Sequence, residues 1–295
     1  MCHLTIRINS DWQFRCAPLP AGYVERYGSR FNAMTLILNE IHLLRGMEET
    51  LIVAAADRRV SKPDGSYDST RRKLFCIPYL HGAIAYFGLA VVYPKGRSQW
   101  QYMSEWLLSF IRRHSSVRDL EDFANTLREE LNRVVPPEIL KKNPSGFHIC
   151  GYDSAGRPDF WYLSNIGGLK DFKYIDLKSQ YTPPESHFLS RDALREFRWD
   201  GKDPLSAING VKIYRNGDFR AHVAAWEQLD YIYWRLSQFP DFKLPKTPGE
   251  YGEYVKFKFE IVAYIYKNWA KKQIVARPID VIVLTRDFCK VMGAH

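Results

Sequence analysis

The stretch that most constrains this chain is Thr50-Leu-Ile-Val-Ala-Ala-Ala-Asp57-Arg-Arg59. A continuous apolar run, β-branched near its start and ending abruptly in charge, predicts a buried strand. Small residues at Ala54–Ala56 let a neighbouring backbone or helix approach closely. After the turn-rich Ser61-Lys-Pro-Asp-Gly-Ser segment comes Arg71-Arg-Lys73-Leu-Phe-Cys-Ile77, a second strand opened by a cationic cluster. Upstream, Met34-Thr35-Leu-Ile-Leu-Asn-Glu-Ile41 predicts a third. A hydroxyl (Thr35), a carboxylate (Asp57) and an amine (Lys73) thus stand at the ends of three successive strands.

Those three groups suit the activation of a weak nucleophile. A Thr hydroxyl is not ionised near neutral pH and needs a base to accept its proton. A free α-amine on the same residue is one such base, since its unperturbed pKa lies near 8. A buried Lys beside the hydroxyl supplies positive charge that favours the developing alkoxide, and an Asp paired to that Lys holds it in place. The same side chains also suit ordinary strand-end ion pairs.

The order and spacing of these residues resemble the N-terminal core of proteasome β-type subunits and the related bacterial ATP-dependent peptidase, within the Ntn-hydrolase superfamily. In that family a strand begun by the catalytic Thr turns back through a hairpin into a strand ending in Asp-x-Arg or a variant. A Lys follows the Asp, and a Gly lies beyond it. Asp57, Arg59, Lys73 (sixteen residues after Asp57) and the Gly88 of Ala85-Tyr-Phe-Gly88-Leu-Ala90 match this order. The likeness continues, more weakly, through Gly151-Tyr-Asp-Ser-Ala-Gly156 to Tyr162 and in Arg277-Pro-Ile-Asp-Val-Ile-Val-Leu284. It covers most of the chain from about residue 34, with a divergent middle between about 165 and 250.

What the resemblance implies is a four-layer αββα Ntn-hydrolase fold and hydrolysis of peptide or other amide bonds. Thr35 would be the nucleophile with its own amine as base, Lys73 the electrostatic activator and Asp57 its anchor. Arg59 completes the motif, and Gly88 would offer a backbone N–H to the oxyanion. It also implies a homo-oligomeric ring and an ATPase partner, with no cofactor or metal. Against the pattern, the Arg-Asp-x-x-Ser-Gly that precedes the last strand in many β subunits is replaced by Lys271-Lys-Gln-Ile-Val275-Ala. The glycine-rich turn carrying a supporting Ser is not visible, which leaves Ser164 and Ser190 as stand-ins. The alternatives are a non-catalytic scaffold of the same fold with an uncut N-terminus, and a small-amide hydrolase of the wider superfamily.

Composition narrows the rest. With 295 residues, 46% hydrophobic and 25% charged, the chain has the make-up of an ordinary globular protein. A formal charge of +9 comes without an arginine-rich tail or nucleic-acid motif, so neither nucleic acid nor membrane is expected as a partner. No run approaches the roughly 18 apolar residues of a membrane span. Five cysteines without paired spacing argue against a disulfide framework or zinc site and fit a reducing cytoplasm. The eight His residues show no metal-ligand spacing, and phosphate-binding glycine loops are absent.

Residues 1–33 read as an N-terminal extension: a propeptide, a permanent segment, or the product of a start chosen too early. Met34-Thr35 favours the last, since Thr permits removal of a preceding Met. Cys2 exposed by loss of Met1 would open the chain as in cysteine-type amidotransferases, but their Cys-Gly opening is missing. Residues 34–295 read as a single domain. The first hairpin, with Leu43–Glu48 as its turn, is longer than in the family: Thr35 stands 22 residues before Asp57.

Beyond Gly88, Trp100, Met103, Leu107 and Phe110 predict one helix, and Leu120, Phe123, Leu127, Leu131 and Val134 a second, capped by Ser116 and ended by Pro136-Pro137. Phe147–Tyr152 and Asp159–Ser164 predict a hairpin. Gly167-Gly168 reads as a turn, and Tyr181–Pro184 and Trp199–Pro204 as loops. Val211–Arg215 is a short strand, and Trp226 to Leu236 a helix. The stripe Val255, Phe259, Val262, Tyr266 and Trp269 marks another helix, and Ile279–Leu284 the last strand. An aromatic content of 15% exceeds the need of one core, so some aromatics are expected in subunit interfaces.

Overall fold

The computed structural model describes residues 4–6, 35–44, 49–61, 67–94, 100–170, 173–186, 210–218 and 225–292. Two antiparallel sheets dominate it. The first contains β1 (Leu4–Ile6), β2 (Leu36–Leu44), β3 (Glu49–Asp57), β9 (Gly210–Gly217), β10 (Ile279–Leu284) and β11 (Cys289–Met292), in the order β1-β9-β2-β3-β10-β11. The second contains β4 (Leu74–Ile77), β5 (Gly82–Phe87), β6 (Gly146–Tyr152), β7 (Pro158–Ser164) and β8 (Glu185–Ser186), in the order β8-β7-β6-β5-β4.

Strand alternation explains how the sheets stack. Along β2, Ile37, Ile41 and Leu43 point to one face, with Ala54 and Ala56 of β3 beside them. There they meet Leu74, Ala83, Ala85, Phe87, Cys150 and Phe160 of the second sheet in one buried cluster. The small alanines leave room for large partners: Phe160 stacks on Tyr214 of β9 with centroids 3.8 Å apart. His148 of β6 crosses the same interface, its Nδ1 2.7 Å from Asn39 Oδ1 and its Nε2 2.7 Å from Asn216 Nδ2. That ring is a buried polar bridge with both nitrogens satisfied.

The outer faces are covered by helices. On the second sheet lie α1 (Met103–Arg113) and α2 (Leu120–Val134), whose Trp106, Leu107, Phe110, Phe123, Leu127 and Leu131 pack on Ile84, Phe147 and Ile149. On the first, α3 (Glu227–Leu236) precedes α4 (Pro248–Trp269). Val255, Phe259, Val262 and Ala263 of α4 cover Leu36, Leu38, Val53, Ala55, Val281 and Val283. Thr247 and Glu250 close a capping box at the start of α4, matching the sequence signature of a helix start.

Several expectations are corrected. Trp100 is outside α1 and 51% exposed, because Gln101–Tyr102 pairs with Val91–Val92 and Tyr102 keeps an extended backbone. The cap of α2 is Asp119, whose carboxylate accepts from Asp122 N at 2.7 Å, not Ser116. The end of α2 at Val134, just before Pro136-Pro137, is as expected, but Pro137 also opens an unexpected short helix over Pro137–Leu140. Gly167-Gly168 lies inside a strand, Ile166–Lys170, paired with Lys173–Leu177. β9 is eight residues long and wholly buried, since Lys212 and Arg215, which break its apolar pattern, are themselves buried. Ile279–Leu284 is followed by one more strand, β11, after a turn in which Thr285 N donates to Phe288 O at 3.0 Å. The turn at 45–48, Ser190 and Trp199–Pro204 lie outside the described residues, as do 7–34, with Met34, and Cys2.

Candidate active site

Pairing fixes where the three reactive groups fall. Ile37 is opposite Ala56, so the ladder brings Leu36 level with Asp57, and Asp57 is paired on its other side with Ile279. Thr35 is therefore one residue before a strand whose neighbour ends in Asp57. Across the stack, Leu74 pairs with Ala85, and Tyr86 N donates to Lys73 O at 3.1 Å. Lys73 thus extends β4 at its beginning, facing the end of the first sheet.

The side chains meet there. Lys73 Nζ donates to Thr35 Oγ1, to Asp57 Oδ1 at 3.3 Å and to the Arg59 carbonyl. An ammonium has three protons, and these are three acceptors. Thr35 Oγ1 in turn donates to Asp57 Oδ1. Asp57 also accepts from Leu36 N at 3.2 Å and Arg59 N at 3.1 Å. Its carboxylate is completely buried, with Lys73 and Thr35 only 3% and 4% exposed. Burial at this level is tolerable for ions only when they are paired and hydrogen-bonded, as here: the ammonium has three acceptors and the carboxylate four donors. Burial pushes the Lys73 amine below its ordinary value; Asp57 opposes that shift, and nearby Arg59 adds to it.

Thr35 is also held by its backbone. Asp218 N donates to the Thr35 carbonyl at 3.1 Å, continuing the β9–β2 ladder in which Gly217 stands opposite Leu36. Gly217 has φ +103, and a Cβ there would overlap the Thr35 carbonyl oxygen. The Asp218 carboxylate accepts from Tyr266 of α4, and Gly217 N donates to Tyr174 at 2.8 Å. Sequence reasoning missed Gly217, Asp218 and Tyr266; the signal was Asn216-Gly217-Asp218, a turn-type tripeptide closing a strand.

The other expected site residues divide. Arg59 contributes its backbone to the cluster, while its guanidinium lies 3.3 Å above the Tyr67 ring and reaches Gln273 at 3.2 Å. Gly88 follows β5 with φ +89, where a Cβ would strike the Pro144 carbonyl; among the described residues it makes no hydrogen bond to Thr35, Asp57 or Lys73. Ser164, the last residue of β7, lies at the same end of the second sheet as Lys73 but three strands across; it accepts from Ile166 N at 3.3 Å and makes no hydrogen bond to Thr35.

A second buried charge cluster sits between β2 and the outer helices. Lys258 of α4 reaches Glu40 at 2.5 Å and Asp230 at 3.2 Å, and His42 Nε2 lies 3.1 Å from Glu40. Glu40 and His42, the polar residues of β2 on the helix-facing side, are thus accounted for by these partners.

Neither a family model nor a curated protein matches the chain. Among the described residues, no helix is long and apolar enough to cross a membrane, and no group of three or more His, Cys, Asp or Glu residues is placed to hold a metal ion.

Proposed function

We propose that the protein is a hydrolase of peptide or other amide bonds that uses Thr35 as an N-terminal nucleophile in a proteasome-like, four-layer Ntn-hydrolase fold. The single observation that carries this reading is the position of Thr35 Oγ1, which accepts from Lys73 and donates to Asp57 inside a buried cluster. Ion pairs at strand ends do not need a hydroxyl between them, whereas a cation set against a hydroxyl favours its alkoxide character.

On this reading the peptide bond before Thr35 is cut first, because an amide nitrogen cannot accept the hydroxyl proton. The freed amine then takes the proton from Oγ1, and the oxygen attacks the substrate carbonyl. Lys73 stabilises the alkoxide character at Oγ1, and Asp57 holds Lys73. The N–H for the tetrahedral oxyanion is assigned to Gly88 from the resemblance alone. The amine protonates the leaving nitrogen, and water then hydrolyses the ester on Thr35. Partners follow from the resemblance alone: further copies in a ring, and an ATPase that feeds it.

One observation favours the second reading, a non-catalytic scaffold. Leu4–Ile6 pairs with Val211–Ile213 as a strand of the first sheet, which gives the segment before Thr35 a structural place. Intact mass and N-terminal sequencing of the purified protein separate the two. A chain begun at Met34 should lose its Met, react at Thr35 with an electrophile directed at N-terminal Thr, and cleave a peptide library. Thr35→Ala should abolish the labelling and the cleavage while leaving removal of Met34 intact. A folded protein inert in both forms establishes the scaffold.

A further inference from the structure

Cys76 and Cys289 belong to different sheets and are separated by 213 residues in sequence, yet their sulfurs lie 2.9 Å apart. Cys76 is in β4, the edge strand of the second sheet, and Cys289 opens β11, the edge strand of the first. The two edges lie on the same side of the stack, and the thiols face one another across the open seam. Both are free and half-buried, so a small reagent reaches them, whereas Cys150 is fully buried behind them. Neither sulfur takes part in the Thr35 cluster, although Cys76 is only three residues beyond Lys73.

We infer that Cys76 and Cys289 form a reversible disulfide staple between the two sheets, made by exchange with a low-molecular-weight disulfide such as oxidised glutathione. The sulfurs need to move by less than about 1 Å to reach bonding distance. The hydrogen bond from Cys289 favours the Cys76 thiolate, burial opposes it, and the Arg72 cation supports it, while Cys289 is pushed up by the same hydrogen bond and retains its proton. Cys76 is therefore the attacking sulfur.

Its thiolate attacks one sulfur of glutathione disulfide, forming a Cys76–glutathione mixed disulfide and expelling glutathione thiolate, which takes up a proton. Cys289 then loses its proton to solvent and attacks Cys76 Sγ, expelling the second glutathione thiolate. In sum, two protein thiols are oxidised to a disulfide and one glutathione disulfide is reduced to two glutathione thiols. The product ties β4, the strand led by Lys73, to the end of the chain. A staple closing so long a loop constrains the unfolded chain more than the folded one.

The test is oxidation of the whole protein with oxidised glutathione, followed by intact mass, peptide mapping and thermal unfolding. The expected product lacks two hydrogens, yields a Cys76–Cys289 linked peptide, unfolds roughly 5 °C or more higher, and reverts with dithiothreitol. Cys289→Ser should stop at one glutathione on Cys76, showing that exchange begins there. Wild-type protein that keeps a stable glutathione adduct on Cys76, or keeps both thiols free, overturns the proposal. These readouts need no hydrolase activity, so they stand or fall apart from the role of Thr35.

Discussion

Gly217 has no side chain because the carbonyl of Thr35 occupies the place where its Cβ would stand, and its φ of +103 is one that L side chains rarely adopt. Gly217→Ala should therefore cost about 2–4 kcal/mol in urea unfolding, from steric overlap and backbone strain together. A wild-type midpoint in that variant would mean that β9 is not seated on Thr35.

Lys73 and Asp57 should be coupled. Lys73→Met leaves a buried carboxylate with only hydroxyl and amide donors, and should cost about 2–4 kcal/mol. Asp57→Asn combined with Lys73→Met should be more stable than the sum of the single changes by about 1 kcal/mol or more. Strict additivity across the double-mutant cycle would dismiss the buried pair.

The lowered pKa of Lys73 sets a pH dependence. Between that depressed value and the ordinary 10.5, the unfolded chain holds the proton and the folded one does not, so the stability of wild type relative to Lys73→Met should rise with pH in that window. The rate should move the opposite way. If the charged amine supports the alkoxide, turnover by the processed enzyme falls along an alkaline limb centred below 10.5. A rate that holds steady up to that value removes Lys73 from the chemistry.

Glu40 makes an acid-side prediction. Burial alone would raise it, but Lys258 and His42 bring it down from 4.5 to about 2. Its contribution, on the order of 3 kcal/mol, is complete above 4.5 and lost as pH falls toward about 2. The stability difference between wild type and Glu40→Gln should shrink over that interval; a constant difference would refute the assignment. Asp230, pushed up mainly by burial and partly by the Glu40 charge, also responds to Glu40→Gln, so the same series is repeated in an Asp230→Asn background.

The strands and helices that were legible are those whose pattern is carried by apolar letters alone. β3, α2 and α4 read directly from Thr50–Asp57, Leu120–Val134 and Val255–Trp269, because period and burial coincide there. The meeting of Thr35, Asp57 and Lys73 was expected from the family resemblance; strand-end spacing by itself suited ordinary ion pairs equally. β9 was underestimated because its buried cations Lys212 and Arg215 imitate a surface strand. Glu40 and Lys258 were opaque for a related reason: a buried ion looks like a solvated one until its partner, more than 200 residues away, is in place. Asp218 escaped because its task is done by a backbone N–H, which every residue but proline has.

The strands flanking the β2–β3 hairpin, β9 and β10, come from residues 210–217 and 279–284. A nascent chain that has left the ribosome as far as Phe87 already holds Thr35, Asp57 and Lys73, but both edges of that hairpin are still bare. The backbone clasp of Asp218 on Thr35 and the pairing of Ile279 with Asp57 arrive only with the C-terminal third. Translation order thus withholds both partners of the β2–β3 hairpin until well over a hundred residues after Thr35, Asp57 and Lys73 have been made, and long-range pairing of this kind forms late.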